Sequence, residues 1–179
     1  MSVEMEAVSF EVAHWPKPPL PVKRGLDRFY GSFKTAELSG GNVRILGDWM
    51  QDNIVTVGVR VRSPREKSKR IRKIQVHRKI APMFEDLMAY IFEQFPGYPI
   101  LQLGGFCPRH KMHNPERGLS VHSWGAAIDI NWKNNPVSRR LKTDFPDGFV
   151  EVFEAAGWNW GGRWNGFKDA MHFQFTKGA

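Results

Sequence analysis

The chain has very little cysteine: Cys107 is the only one among its 179 residues. A single cysteine excludes an internal disulfide framework and suits synthesis in a reducing cytoplasm. A nucleophilic Cys107, with His110 or His122 as its base, is one chemical alternative. The sequence offers no oriented Cys/His/Asn set for it, so we expect Cys107 to be a small buried or half-buried side chain.

Long apolar runs are also missing. No stretch approaches the roughly 20 apolar residues that a membrane-spanning helix needs. The first residues, 1–6, are acidic and contain no continuous apolar segment of the kind found in secretory signals. We therefore expect a protein made in the cytoplasm without an export signal.

An excess of positive charge is absent from most of the chain. The formal net charge is +8, but the segment from Arg60 to Lys79 holds ten Lys/Arg and one acid, a net of +9. The remainder has sixteen basic and seventeen acidic residues, a net of −1. This basic patch indicates either attraction to a polyanion or a solvated hairpin edge on which charge discourages aggregation.

The apolar pattern predicts a single α+β domain, and the apolar share of 41% is sufficient for one core. Proline-rich residues 1–24 are predicted to form an extended arm, and residues 25–179 the domain. Spacing of three and four residues predicts one helix from Ile80 to Phe95 and a shorter one over 149–156. Alternation and β-branched content predict strands over 43–46, 54–61, 71–76 and 98–103, the second and third forming a hairpin with a basic loop.

Two further strands are predicted to have an apolar back and a polar front. In residues 127–131 the isoleucines alternate with Asp129 and Asn131, and in residues 171–175 the apolar side chains alternate with His172 and Gln174. Because side chains on a strand alternate between faces, two such strands in one sheet present Asp129 and His172 on the same surface.

His122 completes a set of metal-type ligands with Asp129 and His172. A catalytic zinc takes three His, Asp or Glu ligands and keeps its fourth position for water. Asp169, three residues before His172, is a spare carboxylate for proton transfer. Strict alternation would place Asp169 on the wrong face, so we expect it in the turn before the strand.

Three separated motifs resemble one peptidase family. Residues 120–129 resemble the Ser-x-His-x-x-Gly-x-Ala-x-Asp signature of zinc D-alanyl-D-alanine carboxypeptidases and the related L-alanyl-D-glutamate endopeptidases of bacteriophage lysis systems. Residues 157–173 are similar to the family's last motif, in which an acidic residue precedes a His by three positions. Residues 104–109 resemble its Gly-Gly-Tyr-x-Pro-Arg stretch, whose Arg faces the substrate. The resemblance covers about residues 70–176.

The resemblance implies a role for each matching residue. His122, Asp129 and His172 would hold Zn²⁺, Asp169 would be the general base and acid, and Arg109 would bind a substrate carboxylate or the oxyanion. The fold would be α+β, a mostly antiparallel sheet with helices on one face, of the hedgehog/DD-peptidase-like type.

Residues beside the ligands, and one difference from the family's pattern, complete the expected site. Ser120 and Trp124 are expected on the substrate side, and Ser120 also supports the site through a hydrogen bond. Members of the family often have Glu where this chain has Gln174, which leaves the metal set intact but makes substrate preference less certain. The tryptophans of 158–164 would either wall a cleft or pack on the sheet, and the loop of 110–118 would lie beside the site.

The implied function is hydrolysis of a peptide bond in the peptidoglycan stem by a monomeric phage endolysin that reaches the cell wall after release. A D-alanyl-D-alanine carboxypeptidase and a non-catalytic wall-binding virion component are the alternatives. The basic patch would contact an anionic wall or membrane surface. A nucleic-acid-binding protein would use the same patch but would leave the ligand set unexplained, so no specific nucleic acid is expected.

Overall fold

The computed structural model describes residues 15–62 and 69–178. Within these residues the chain has four α-helices and ten strands. The helices are α1 (Lys23–Tyr30), α2 (Trp49–Asn53), α3 (Ala81–Gln94) and α4 (Phe149–Ala155). The strands are β1 (Lys34–Glu37), β2 (Val43–Leu46), β3 (Ile54–Arg62), β4 (Lys69–His77), β5 (Leu103–Gly104), β6 (Ala127–Ile130), β7 (Val137–Ser138), β8 (Asn159–Trp160), β9 (Lys168–Asp169) and β10 (His172–Gln174).

All strand pairs in the described residues are antiparallel, which confirms the predicted α+β class. The central sheet has the order β5–β6–β10–β8, and β1–β2, β3–β4 and β7–β9 form three two-stranded sheets. The central sheet is the only one of these to which the predicted ligand strands contribute. It therefore positions the site.

The predicted basic hairpin is formed by β3 and β4, with Arg62 opposite Lys69 at the end that residues 63–68 connect. Along β3 the side chains of Val57, Val59 and Val61 are buried while Thr56 and Arg60 are exposed. This alternation packs one face on the core and leaves the other to solvent. Residues 63–68 of the predicted basic loop lie outside the described residues.

Helix α3 packs its apolar face against β3. Its buried side chains follow the predicted three- and four-residue spacing and comprise Met83, Phe84, Leu87, Met88, Ile91 and Phe92. Pro82 lies in its first turn, where a missing N–H costs no helical hydrogen bond. Helix α4 packs against α3 and β8, so both helices cover the core shared with the central sheet.

The predicted strand over 98–103 is wrong in extent, because only Leu103 and Gly104 pair as β5. The side chain of Asn131 explains the difference. Its Oδ1 accepts the backbone N–H groups of Leu101 (2.7 Å) and Gln102 (3.0 Å), which a neighbouring strand would otherwise bind. Asn131 itself has φ +48°, so β6 ends at Ile130 and Asn131 does not continue its polar face.

The N-terminal segment is tied to the C-terminal one. The backbone N–H of Lys177 donates to Pro19 (2.7 Å), the Tyr30 hydroxyl of α1 donates to the Phe175 carbonyl (2.8 Å), and Trp15 packs against the core. The boundary of the predicted arm remains a prediction, since residues 1–14 lie outside the described residues. Among the described helices, none combines the length and apolar character needed to cross a membrane.

Candidate active site

Asp129 and His172 are direct cross-strand partners in the central sheet. Strand β6 pairs with β10 in the register that places these two residues opposite each other. Side chains of directly opposed residues lie on the same face of an antiparallel pair. His172 Nδ1 is accordingly 3.1 Å from Asp129 Oδ1. The alternation of polar and apolar residues predicts this shared surface.

His122 reaches the pair from a one-turn 3-10 helix, Val121–Trp124. The side chain of Ser120 caps this turn by accepting the backbone N–H of His122 (3.4 Å), and Gly125 ends it at φ +65°. A Cβ on residue 125 would lie 2.8 Å from the backbone nitrogen of His77, so only glycine permits this close approach. His122 Nε2 thereby lies 3.2 Å from both Asp129 Oδ2 and His172 Nδ1.

The donor set fits a zinc ion. One ligand atom from each of His122, Asp129 and His172 lies within 4.8 Å of the others. Tetrahedral coordination at the usual zinc bond lengths puts donor atoms about 3.3 to 3.4 Å apart, close to the separations of 3.1 and 3.2 Å seen here. Two imidazoles and one carboxylate are also the ligand types of catalytic zinc sites.

The second nitrogen of His122 is held by a backbone carbonyl. His122 Nδ1 lies 2.7 Å from the oxygen of Gly105, an acceptor that holds the proton on Nδ1 and leaves the Nε2 lone pair toward the ligand cluster. Gly105 packs tightly against β4, because a Cβ there would lie 2.3 Å from the carbonyl oxygen of Gln75. The Gly-Gly motif therefore supports a ligand through its backbone.

Electrostatics within the cluster favour a charged carboxylate. Burial by itself would raise the pKa of Asp129, but the hydrogen bonds and charges of His122 and His172 outweigh it and hold that pKa below its usual range. Burial likewise opposes a charge on His172, yet Asp129 and Asp169 raise its pKa above the usual range. A bound divalent cation would replace the positive charge that the histidines supply beside the Asp129 carboxylate.

Asp169 lies beside the cluster at the end of β9, opposite Val137 of β7. The prediction that it occupies the turn before the His172 strand is wrong, because that turn comprises Ala170 and Met171, and β9 ends before it. Asp169 Oδ1 is buried and has no hydrogen-bond partner. Burial raises the pKa of its carboxyl, and Asp129 adds to the rise, while the charges of His172, His122 and Arg109 oppose it. A buried carboxylate of this kind suits proton transfer.

Arg109 is half-buried and its charge acts on Asp169 by lowering the carboxyl pKa. Its backbone forms an isolated bridge with Asn42, and its guanidinium Nη1 donates to the His110 carbonyl at 3.4 Å. Arg109 therefore lies near enough to the ligand cluster for its charge to act on Asp169.

The structure places the other two predicted substrate-side residues in the interior. Ser120 is 6% exposed and uses its oxygen for the cap, which is the supporting role expected of it. Trp124 is 1% exposed and packs on Phe33 with ring centroids 5.1 Å apart, so its ring does not face a substrate. A 3-10 helix has three residues per turn, and two positions after His122 the side chain therefore points away from the ligands.

Two other tryptophans border the cluster instead. Trp164 is half-buried with its ring 5.3 Å from that of His172. Trp132, 40% exposed, lies over Gly104, the strand partner of Asp129, and sequence reasoning missed it because no periodic pattern marks it. Trp158 and Trp160 are buried in the core, so of the two alternatives for these tryptophans they pack on the sheet and do not wall a cleft.

The cysteine alternative has no support in the geometry. Cys107 is exposed, so the expectation of a buried or half-buried side chain is wrong. Its backbone N–H donates to the His122 carbonyl. His110 is engaged at both ring nitrogens, by Glu37 (3.0 Å) and by the Arg117 carbonyl, and His122 is likewise engaged at both. Neither histidine is placed to activate Cys107. The ion pair of Glu37 with His110 was not anticipated, because it joins residues far apart in the chain.

Comparison with known proteins points to the same chemistry. The model of a family described as D-alanyl-D-alanine carboxypeptidase matches residues 113–175. The matched segment contains His122, Asp129, Asp169 and His172, and it excludes Arg109. The match supports a peptidase, and the three ligand residues fit the zinc site of such an enzyme. Neither the curated proteins nor the solved structures include a match to this chain.

Proposed function

We propose that this chain is a zinc peptidase that hydrolyses a peptide bond of the peptidoglycan stem, as an L-alanyl-D-glutamate endopeptidase of the phage-lysis type acting on the cell wall after release. The observation that carries the proposal is the convergence of His122, Asp129 and His172 within 4.8 Å, beside the unpartnered buried carboxylate oxygen of Asp169. The family match over the same residues supports the peptidase class.

Each side chain has a distinct part in the proposed hydrolysis. Zinc held by His122 Nε2, Asp129 and His172 Nδ1 would supply Lewis acidity to the scissile carbonyl and acidify a water. Asp169 would accept a proton from the attacking water and pass it to the leaving amine, for which a pKa raised above its usual range is favourable. Arg109 stabilises negative charge on the carbonyl oxygen or binds a substrate carboxylate.

The test combines product analysis with two variants. Mass spectrometry of purified peptidoglycan treated with the parent chain should show stems cut between L-alanine and D-glutamate. Asp169→Asn should keep zinc and lose at least about a hundredfold in rate, whereas His122→Ala should lose both. Asp86→Asn, on the exposed side of α3, is the matched control and should cleave normally. An Asp169→Asn protein that cleaves at nearly the parent rate would refute the assigned base.

A D-alanyl-D-alanine carboxypeptidase is the second candidate, favoured by the description of the matching family. In that reaction Arg109 would bind the terminal carboxylate of the substrate. Release of free D-alanine in the same digest, with no internal cleavage, would select it. Binding to peptidoglycan without either product would instead indicate a wall-binding component, a role that does not require the Asp169 carboxylate.

The outer face of the β3–β4 hairpin supports a secondary proposal of binding to an anionic wall or membrane surface. Arg60 and Lys73 are both exposed there, in a segment of net charge +9. Co-sedimentation of the monomeric chain with cell-wall fragments should weaken with salt and with Arg60→Gln/Lys73→Gln. Equally tight, salt-dependent binding to DNA would contradict the expected absence of a nucleic-acid role.

A further inference from the structure

A directional series of hydrogen bonds runs from the C-terminal backbone to His172. The Thr176 hydroxyl donates to the Lys177 carbonyl at 3.1 Å, so its oxygen accepts from Gln174 Nε2 at 2.7 Å. The amide of Gln174 is thereby oriented with Oε1 toward His172 Nε2, 3.1 Å away. Gln174 is 6% exposed and Thr176 1%, so water does not compete for these groups. Each bond in the series has a single direction.

The other ring nitrogen of His172, Nδ1, lies beside a carboxylate that attracts a proton to it. Nδ1 faces Asp129 Oδ1 at 3.1 Å and His122 Nε2 at 3.2 Å, which makes it the ligand atom. In the metal-free chain the Asp129 carboxylate attracts a proton to Nδ1, and a protonated nitrogen cannot ligate a metal. An acceptor at Nε2 is needed to hold the single proton of the neutral ring on the other side.

We propose that Gln174 and Thr176 are positioning residues that keep the proton of His172 on Nε2 and so present Nδ1 to the metal. The inference rests on the proposed zinc site and adds two residues that contact neither metal nor substrate. For His122 the same function is served by the backbone carbonyl of Gly105. For His172 the acceptor is a side chain, so its role can be tested by substitution.

A neutral amide has a specific advantage at this position. Asp129, a ligand, and Asp169, buried beside the cluster, already place two carboxylates there. Gln174 accepts from Nε2–H without adding a third negative charge. The hydroxyl of Thr176 then decides which end of the amide faces the ring, since a reversed amide would offer His172 a donor in place of an acceptor.

Two pairs of variants separate this role from simple packing. Gln174→Met keeps the side-chain length but removes the acceptor, and Gln174→Glu restores an acceptor. Thr176→Val keeps the shape but removes the hydroxyl, and Thr176→Ser restores it. We expect Gln174→Met and Thr176→Val to weaken zinc binding by about tenfold or more, and the restoring variants to stay within about threefold of the parent chain.

Two measurements on the full-length chain decide the matter. Competition with a chromophoric chelator gives the zinc dissociation constant. Long-range ¹H–¹⁵N NMR of the chelator-treated chain, at a pH above the titration of its histidines, shows which nitrogen of His172 carries the proton. We expect Nε2–H in the parent and in the restoring variants, and a shift toward Nδ1–H in Gln174→Met and Thr176→Val.

Failure of the inference is distinguishable from failure of the proposed function. Parent-like zinc affinity and an unchanged Nε2–H ring in both Gln174→Met and Thr176→Val would overturn the inference and leave the enzyme intact. A parent chain that holds no zinc would overturn the proposed function, and the NMR comparison would still decide the role of the two residues. If Gln174→Met does not fold, the isosteric Thr176→Val and Thr176→Ser pair gives the answer.

Discussion

Arg109 and Ser123 exchange two hydrogen bonds: Ser123 Oγ accepts the backbone N–H of Arg109 and donates to its carbonyl, both at 3.0 Å. Ser123 is fully buried and immediately follows the ligand His122. The pair therefore fixes the backbone that carries the Arg109 guanidinium to the turn that carries a metal ligand. This contact holds the Cα of Arg109, from which its charged side chain extends, against the ligand turn.

Ser123→Ala should therefore lower turnover and leave zinc binding largely intact. Losing the buried hydroxyl leaves the backbone N–H of Arg109 unpaired, while the Arg109 carbonyl still accepts from the backbone N–H of Ser120 (2.9 Å). We expect this loss to cost about 1–3 kcal/mol of unfolding free energy. Peptidoglycan cleavage should fall about tenfold as Arg109 shifts. Ser39→Ala, in an exposed 3-10 turn, is the control and should match the parent. Unchanged cleavage by Ser123→Ala would show that Arg109 needs no such support.

The parts of the site that the sequence predicts are those governed by local periodicity. Alternation along residues 127–131 and 171–175 is sufficient to put Asp129 and His172 on one face, because side-chain direction on a strand follows from position alone. The helix of 81–94 is likewise visible in its spacing. The strand over 43–46 was predicted and forms β2, whereas helix α1 and strand β1 have weaker patterns and were not predicted.

The contacts that the sequence does not predict join residues distant in the chain. The bonds between Arg109 and Ser123 and between Glu37 and His110 leave no periodic trace. Trp124 shows the limit of adjacency: lying two residues from a ligand suggests a substrate contact, but the 3-10 turn directs it into the core. Asn131 similarly ends β6 through its positive φ and limits β5 through its side chain, which binds the backbone N–H groups of Leu101 and Gln102.

Gly125→Ala should be strongly destabilising. Its φ of +65° costs an alanine about 1–2 kcal/mol, and the added Cβ would also lie 2.7 Å from Ile54 Cδ1. We expect the free energy of unfolding, measured in urea, to fall by about 3 kcal/mol in total. Overpacking against Ile54 contributes the part that exceeds the backbone cost. Gly47, with φ +75° and no atom within 4 Å of an added Cβ, isolates the backbone cost in a matched Gly47→Ala variant. Equal losses in the two variants would contradict the close packing under the ligand turn.

Trp132→Ala should raise KM more than it lowers kcat. The Trp132 ring is 40% exposed and lies over Gly104, so it offers an aromatic surface beside the ligand strand without touching a ligand. We expect KM for a soluble stem peptide to rise roughly five- to tenfold. Phe167→Ala removes an aromatic ring of comparable exposure that packs against Arg139, and KM should stay at the parent value. A purely kcat effect of Trp132→Ala would place the substrate elsewhere.

His77 gives the fold a defined sensitivity to acid. It is fully buried, with Nε2 donating to the Tyr30 carbonyl (2.9 Å) and Nδ1 accepting the Lys79 backbone N–H (3.1 Å), so both nitrogens are used in the neutral form. The pKa of His77 is lowered from 6.5 to about 4, mainly by burial and also by the charges of Lys79 and Arg78, against the opposing hydrogen bond to the Tyr30 carbonyl. Between these two pH values the unfolded chain binds a proton that the folded chain does not.

The free energy of unfolding should therefore fall as the pH is lowered from about 6.5 to about 4, by roughly 3 kcal/mol from this group alone. His77→Gln keeps a donor and an acceptor but does not titrate, so urea unfolding across this range should show a shallower pH dependence, from a lower stability at pH 7. His113→Gln, at an exposed loop position, should retain the parent slope. Identical slopes for His77→Gln and the parent would mean that groups other than His77 govern acid unfolding.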